Sequence, residues 1–209
     1  MQLTTKTKWL FADKTLRLRH EIVKILAPKL YEGCTQSMPD VPRPMTLALK
    51  QNFRSKPLTG AEVGVAQGKN ALSLLTILQL QKLYLIDPYL PYFENGVLIN
   101  PMSNQTPKVL LSKYQYPVVF IHKTLEDAKP EIQEPLDFIY IDGNHTYSYV
   151  KHDIENSYAL VKEGGWIGGH DYSQHSTGVI QAVDEFGEKQ KVHIHLSSPD
   201  WWLIKENDC

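Results

Sequence analysis

The sequence predicts a doubly wound α/β fold: a seven-stranded, mostly parallel sheet whose last strand runs in reverse, preceded by an amino-terminal helical extension. Three observations carry that expectation. From Leu58 onward, compact apolar runs alternate with stretches of helical length, the rhythm that parallel strands with right-handed crossovers require. The last two apolar runs are separated only by Ser197-Ser198-Pro199-Asp200, too short for a helical crossover, so this pair should be an antiparallel hairpin. The chain has 209 residues, enough for one sizeable core.

The elements follow in order. Residues 13–31 are an amphipathic helix candidate, with Leu16, Ile22, Val23, Leu26 and Leu30 at helical spacing. Pro28 should kink or end it early, and the run VPRP at 41–44 marks a break before a second short helix. Residues 1–57 thus read as a helical extension or lid, and 58–209 as the main domain. Buried parallel strands are expected at 61–65, 83–87, 117–122, 137–142 and 165–169, whose continuous apolar character suits a sheet covered on both faces. Helices are expected between them at 69–81, 104–114, 124–133, 146–162 and 176–189. The closing hairpin takes 191–196 and 201–205.

Composition narrows the functional classes. Hydrophobic residues make up 42% and charged residues 22%, so disordered and low-complexity classes are excluded. Lys and Arg number 22 against 23 Asp and Glu, a net charge of −1 that predicts no wholesale binding to nucleic acid or to an anionic membrane. That balance hides an asymmetry: residues 1–56 carry eleven basic against four acidic groups, a local +7, leaving −8 for the remainder. The basic groups read as a solvated helix face, or as a lid that attracts an anionic substrate, and they could form a homodimer contact. No apolar run approaches the ~20 residues of a spanning helix, and the start MQLTTKTKWLFADK lacks a signal-peptide core. The cysteines, Cys34 and Cys209, form neither a disulfide framework nor a metal knuckle. A soluble, cytoplasmic protein is expected.

In such folds ligands sit at the carboxyl ends of the strands, so the residues following each run carry the information. After the first strand comes Gly64-Val65-Ala66-Gln67-Gly68 and then a helix. Glycines there let the backbone approach a ligand, and the helix amino end offers free N–H groups. Alone, such a turn needs no ligand. The second strand adds Asp87, an acid placed to accept both hydroxyls of a ribose, with a turn cap before Pro88 as its other reading. Together they point to an adenosine-bearing cofactor.

On these residues the sequence resembles the class I S-adenosylmethionine-dependent methyltransferases. The match lies in Glu62-Val63-Gly64-Val65-Ala66-Gln67-Gly68, in Asp87, and above all in residues 141–172, IDGNHTYSYVKHDIENSYALVKEGGWIGGHDY. That stretch is similar to the small-molecule group whose fourth strand ends in DGxHxY and whose fifth ends in HDY. The resemblance covers roughly residues 58–205 and implies a Rossmann-like sheet. It implies that Glu62 and the Gly64–Gly68 turn hold the methionine end of S-adenosylmethionine, Asp87 the ribose, Thr124 and Leu125 the adenine edge, with Asp142 also at the cofactor. The reaction implied is O-methylation of a small-molecule hydroxyl.

Chemistry supplies further candidates. Methyl transfer from a sulfonium consists of aligning a nucleophile with the methyl carbon, and a hydroxyl nucleophile must lose its proton. His145, three residues past Asp142, is placed to be that base, with a helix cap as its plain alternative. Asp142, His170 and Asp171 end adjacent strands, and two carboxylates with one imidazole suit a divalent ion, whether Mg, Mn, Fe or Zn. His170 could equally be a hydrogen-bonded neighbour with no metal. Three rivals remain open. A NAD-dependent oxidoreductase would show G-x-G-x-x-G, whereas Ala66 stands between Gly64 and Gly68. A nucleotide- or sugar-binding module would have no use for Asp142, His145, His170 and Asp171 together. A metal-dependent hydroxylase would use the same His and carboxylates.

Overall fold

The computed structural model describes residues 42–101, 104–112 and 118–206; the expected helix at 13–31 and both cysteines lie outside them. In chain order the elements are α1 (Pro44–Phe53), β1 (Leu58–Val63), α2 (Lys69–Ile77), β2 (Leu80–Ile86), β3 (Tyr92–Glu94), β4 (Val97–Ile99), α3 (Gln105–Leu111) and β5 (Val118–Ile121). There follow α4 (Leu125–Ala128), a 3-10 turn (Lys129–Glu131), β6 (Leu136–Ile141), α5 (Tyr147–Leu160), β7 (Val161–Gly169), α6 (Thr177–Gln190), β8 (His195–Ser197) and β9 (Asp200–Ile204).

Seven strands form one sheet in the order β5-β2-β1-β6-β7-β9-β8. The pairs β5/β2, β2/β1, β1/β6 and β6/β7 are parallel, and β9 inserts antiparallel between β7 and β8. The reversed last strand is therefore as the short 197–200 connection implied. Crossovers leave β1 in both directions, first toward β2 and β5 and then toward β6 and β7, which makes the β1/β6 boundary the switch point where a cleft opens.

The central strands are largely apolar because both faces are covered, with Glu62 on β1 and Asp137 on β6 as buried exceptions, and alternate residues serve different cores. Leu83, Leu85, Phe138 and Tyr140 pack with Met45 and Leu49 of α1 and Leu72 and Leu75 of α2. Tyr84, Ile86, Ile139 and Ile141 pack on the other side with Leu125, Val150, Ile154, Val179 and Val183 of α4, α5 and α6. The described part of the expected extension, 42–57, is thus built into the main core. Its helix begins with Pro44, whose missing N–H is no loss in a first turn. The Met45 N–H donates to Asp200 Oδ2 (2.9 Å), and the Tyr140 hydroxyl donates to Asp200 Oδ1 (3.0 Å). Burial pushes the Asp200 carboxyl up to about 6, against the pull of these bonds.

Several expected bounds shift for physical reasons. The 124–133 helix is one α turn that Pro130 lets continue only as a 3-10 turn. The 146–162 helix stops at Leu160 because Val161 is already extended and starts β7. The 191–196 strand shrinks to His195–Ser197, since the chain before it caps α6: Lys191 is left-handed (φ 57°) and the Val192 N–H donates to Gly187 O (3.1 Å). The hairpin β3–β4 was not expected at all. It turns at Asn95 (φ 50°) and Gly96 (φ 81°), the two positive angles of a type I′ turn.

Candidate active site

The half of the cleft at the end of β1 is shaped by backbone approach. Gly64 has φ 84°, and a Cβ there would lie 2.1 Å from the Asp142 carbonyl oxygen, so this position must be glycine for β1 and β6 to meet at the cleft floor. Gly68 (φ 79°) hands the chain to α2, where a Cβ would stand 2.8 Å from Pro107 Cβ. Glu62, buried on β1, accepts a hydrogen bond from Asn70 Nδ2 in the first turn of α2 (3.2 Å), which ties strand to helix beneath the turn.

Asp87 follows β2 directly. Its Oδ2 accepts the N–H groups of Val65 and Ala66 (both 3.0 Å), and its Oδ1 accepts the Tyr89 N–H (2.8 Å). A carboxylate has about four lone-pair sites. Three are taken by backbone, so Asp87 as placed can accept one further hydroxyl rather than the ribose pair expected of it, and its second duty is to latch the 64–68 turn. Tyr89 (φ 50°) crosses the same turn and donates its hydroxyl to Ala66 O (3.2 Å). Its ring meets the edge of His122, the residue after β5, at 5.6 Å. Burial, with Asp87 and Glu62 adding to it, raises the Tyr89 phenol and keeps it neutral.

Thr124 and Leu125 stand where β5 hands over to α4. Thr124 caps α4, accepting the Asp127 N–H (3.3 Å) and donating to Asp127 Oδ2 (2.8 Å). Leu125 is 1% exposed and its side chain belongs to the core.

The other half gathers the ionisable groups. Asp142, His170 and Asp171 present ligand atoms all within 4.8 Å of one another. Gly169 permits this, since a Cβ would lie 2.1 Å from Ile141 O, and the next residue bonds that carbonyl through its N–H (3.0 Å). Asp171 then adopts φ 59°, a strained value for a non-glycine residue that turns its carboxylate back toward the cleft. Its Oδ2 lies 2.9 Å from His170 Nδ1 and 2.9 Å from His145 Nε2. His145 also has Asp142 Oδ1 at 3.6 Å and, on its other face, Glu94 Oε1 at 2.8 Å from Nδ1. The Nε2 contact with Asp171 is a close ion contact rather than an aligned hydrogen bond. From the segment before α1, Arg43 Nη2 reaches Asp142 Oδ2 at 3.7 Å.

Burial would lower the His145 pKa, but its bonds with Asp142, Asp171 and Glu94 outweigh that and push it up to about 11. Burial likewise works against ionising Asp171, and the two imidazoles overcome it, holding that carboxyl well below its ordinary range. These contacts favour a proton on His145, whose Nε2 points into the space beside Asp142 and Asp171.

The structure therefore brings Asp142, His145, His170 and Asp171 together, sets Glu62, Gly64, Gly68 and Asp87 about the turn after β1, and places Thr124 at the cap of α4 with Leu125 in the core. Sequence reasoning missed Arg43, Tyr89 and Glu94. The Asn95-Gly96 turn signal could have found the hairpin that carries Glu94; nothing local marks its partner.

A sheet of this order, with β9 reversed, the glycine turn after β1 and the acid after β2, defines a class I S-adenosylmethionine-dependent methyltransferase. The sequence profile described as "Methyltransferase domain" matches residues 61–172, over half of the chain, and the chain belongs to that family. It is similar to "Uncharacterized protein R132" of Acanthamoeba polyphaga mimivirus, 26% identical over 145 residues; the match takes in 66% of this chain and 62% of that protein, so the chain spans under two thirds of that curated relative. Among solved structures it resembles the O-methyltransferase from Bacillus cereus in complex with S-adenosylhomocysteine (TM-score 0.59, 14% identity, 88% of this chain and 96% of that one). It also resembles the MycE methyltransferase of the mycinamycin biosynthetic pathway, in complex with Mg and S-adenosylhomocysteine (TM-score 0.52, 14% identity, 78% of this chain and 48% of that one). At these identities the structural likeness speaks for the fold. No helix among the described residues is long and apolar enough to cross a membrane.

Proposed function

We propose that this protein transfers the methyl group of S-adenosylmethionine to a hydroxyl of a small molecule, with a divalent ion held by Asp142, His170 and Asp171. The observation that carries the reading is the convergence of those three side chains, within 4.8 Å, beside His145 and against the β1 glycine turn. The donor set fits a divalent cation, and its imidazole favours Mn, Fe or Zn over Mg. When bound, the ion would supply Lewis acidity to the acceptor hydroxyl and would offset the carboxylate field that keeps His145 protonated.

The chain's own residues would do the rest. Glu62 and the Gly64–Gly68 turn hold the methionine end of the cofactor, and the free acceptor site on Asp87 Oδ1 takes a ribose hydroxyl. His145 faces the acceptor oxygen with Nε2, as proton acceptor or as donor to the oxyanion, and the alignment of oxygen with methyl carbon supplies the rate. The B. cereus and mycinamycin-pathway enzymes, bound to S-adenosylhomocysteine and in one case Mg, support extending both ligands to this chain. The net charge of −1 supports a small acceptor over a nucleic acid, and the two-cysteine composition supports a cytoplasmic setting.

Calorimetry with S-adenosylhomocysteine and, separately, NAD tests the cofactor: micromolar affinity for the first and none for the second is expected. For the metal, the protein is dialysed against chelator and Mg, Mn, Fe and Zn are restored singly in thermal-shift and methyl-transfer assays over a panel of small hydroxyl compounds. The metal reading fails if activity survives chelation and Asp171→Asn carries the same metal content as the parent.

A further inference from the structure

The hairpin β3–β4 leaves the sheet between β2 and α3 and comes down on the acceptor half of the cleft. Two bonds dock it. Asn144 Nδ2 donates to the Phe93 carbonyl (3.2 Å), and the neighbouring Glu94 places Oε1 2.8 Å from His145 Nδ1. The strand's alternation explains the division of labour: Phe93 faces outward at 66% exposure, while Glu94, one residue on, points to the cleft with its side chain 18% exposed. An imidazole has two inequivalent nitrogens, and the partner of one fixes what the other does. With Nδ1 directed at Glu94, Nε2 is directed at the space beside Asp142 and Asp171, at 3.6 and 2.9 Å from their oxygens. No other described side chain is recorded against Nδ1.

We infer that Glu94 is the positioning residue for His145: it accepts the Nδ1–H and so aims Nε2 at the acceptor oxygen, while the hairpin that carries it forms the wall of the acceptor site. The inference rests on the methyl-transfer reading for its consequence, but its geometry can be tested without that reading. The carboxylate of Glu94 is placed against the Nδ1 side of the His145 ring, so its role is assigned through that ring. A glutamine at this position keeps a carbonyl oxygen for the same N–H, whereas an alanine leaves the ring free to turn. Because the Asn144 bond to Phe93 is made through backbone carbonyl, the hairpin stays docked in either variant.

The test compares the parent, Glu94→Gln and Glu94→Ala, checked for folding by thermal shift. Crystal structures read the ring position, and turnover of S-adenosylmethionine with 3,4-dihydroxybenzoate as acceptor probe reads the consequence. In Glu94→Ala, Nε2 is expected to leave hydrogen-bond reach of Asp171 and kcat to fall about 10- to 100-fold, with acceptor KM and S-adenosylhomocysteine affinity unchanged. Glu94→Gln is expected to hold the ring in place and recover most of kcat. An alanine variant whose ring is unmoved, or a glutamine variant as impaired as the alanine one, overturns the inference. If the parent turns over no hydroxyl probe, the methyl-transfer reading is what fails, and the ring position in the alanine variant still decides the role of Glu94.

Discussion

Asp87 offers the sharpest test, because its three backbone bonds give it a structural role besides the cofactor role. In Asp87→Ala the N–H groups of Val65, Ala66 and Tyr89 all lose their acceptor. That of Ala66 is exposed, where water can replace the carboxylate, so its loss is small, and that of Tyr89 is part-buried. Val65 is 4% exposed, and leaving its donor without a carboxylate costs about 1–3 kcal/mol. The folded state should therefore lose about 2 kcal/mol, which for a domain of this size is a fall in Tm of about 4–8 °C.

Binding should suffer separately. One ribose hydroxyl loses a charged acceptor, worth about 1.5–3 kcal/mol, and the unlatched 64–68 turn must be reordered by the ligand. S-adenosylhomocysteine affinity should fall about 30-fold or more, read by calorimetry at a temperature where the variant is folded. Asp87→Asn separates the effects, since its amide oxygen can keep the Val65 and Ala66 bonds while the amide nitrogen cannot accept the Tyr89 N–H. It should recover most of the Tm and less of the affinity. An alanine variant with the parent's Tm refutes the latch, and one with the parent's affinity refutes the ribose assignment.

Two further outcomes follow from the geometry. His145→Ala should lower turnover about 100-fold or more on an acceptor found by screening, with S-adenosylmethionine affinity retained; full activity would return His145 to a structural role. Asp200, raised from 3.8 to about 6 by burial, binds its proton more tightly folded than unfolded, so its contribution to stability is complete below pH 4 and is lost as pH rises through 6. At roughly two units the change is about 3 kcal/mol. Between pH 4.5 and 7.5, where about 2 kcal/mol of that change falls, urea unfolding should show the parent losing that much relative to Asp200→Asn; parallel behaviour of the two proteins would exclude it.

The sheet was legible because its strands are buried on both faces, which writes an unbroken apolar run such as Phe138–Ile141 into the sequence. The reversed strand was legible from loop length alone. The site was half legible: residues that end strands, Asp87, Asp142, His170 and Asp171, follow from the rule that ligands sit at strand ends. What stayed illegible was where a side chain turns. Thr124-Leu125-Glu126-Asp127 carries a capping pattern that assigns the hydroxyl to the helix and Leu125 to the core, yet its position after β5 suggested a cofactor edge. Glu94 and His145 are 51 residues apart, and no local pattern records that they meet.

The connection from β2 to α3 links the two halves of the cleft in a way the sheet does not. Relatives of one fold share the strand ends, so what distinguishes them lies in the connections. Here one segment touches the cofactor turn through Asp87 and Tyr89 and the acceptor side through Phe93 and Glu94. Only three residues stand between Tyr89 and Phe93, and a chain that short transmits displacement. On the proposed reading, a cofactor that reordered the 64–68 turn would pull on the same segment that carries Glu94 to His145, and an acceptor pressing on the hairpin would bear on the latch at Asp87. The fold places the carboxylates and imidazoles at the strand ends, and this connection ties the 64–68 turn to the His145 ring.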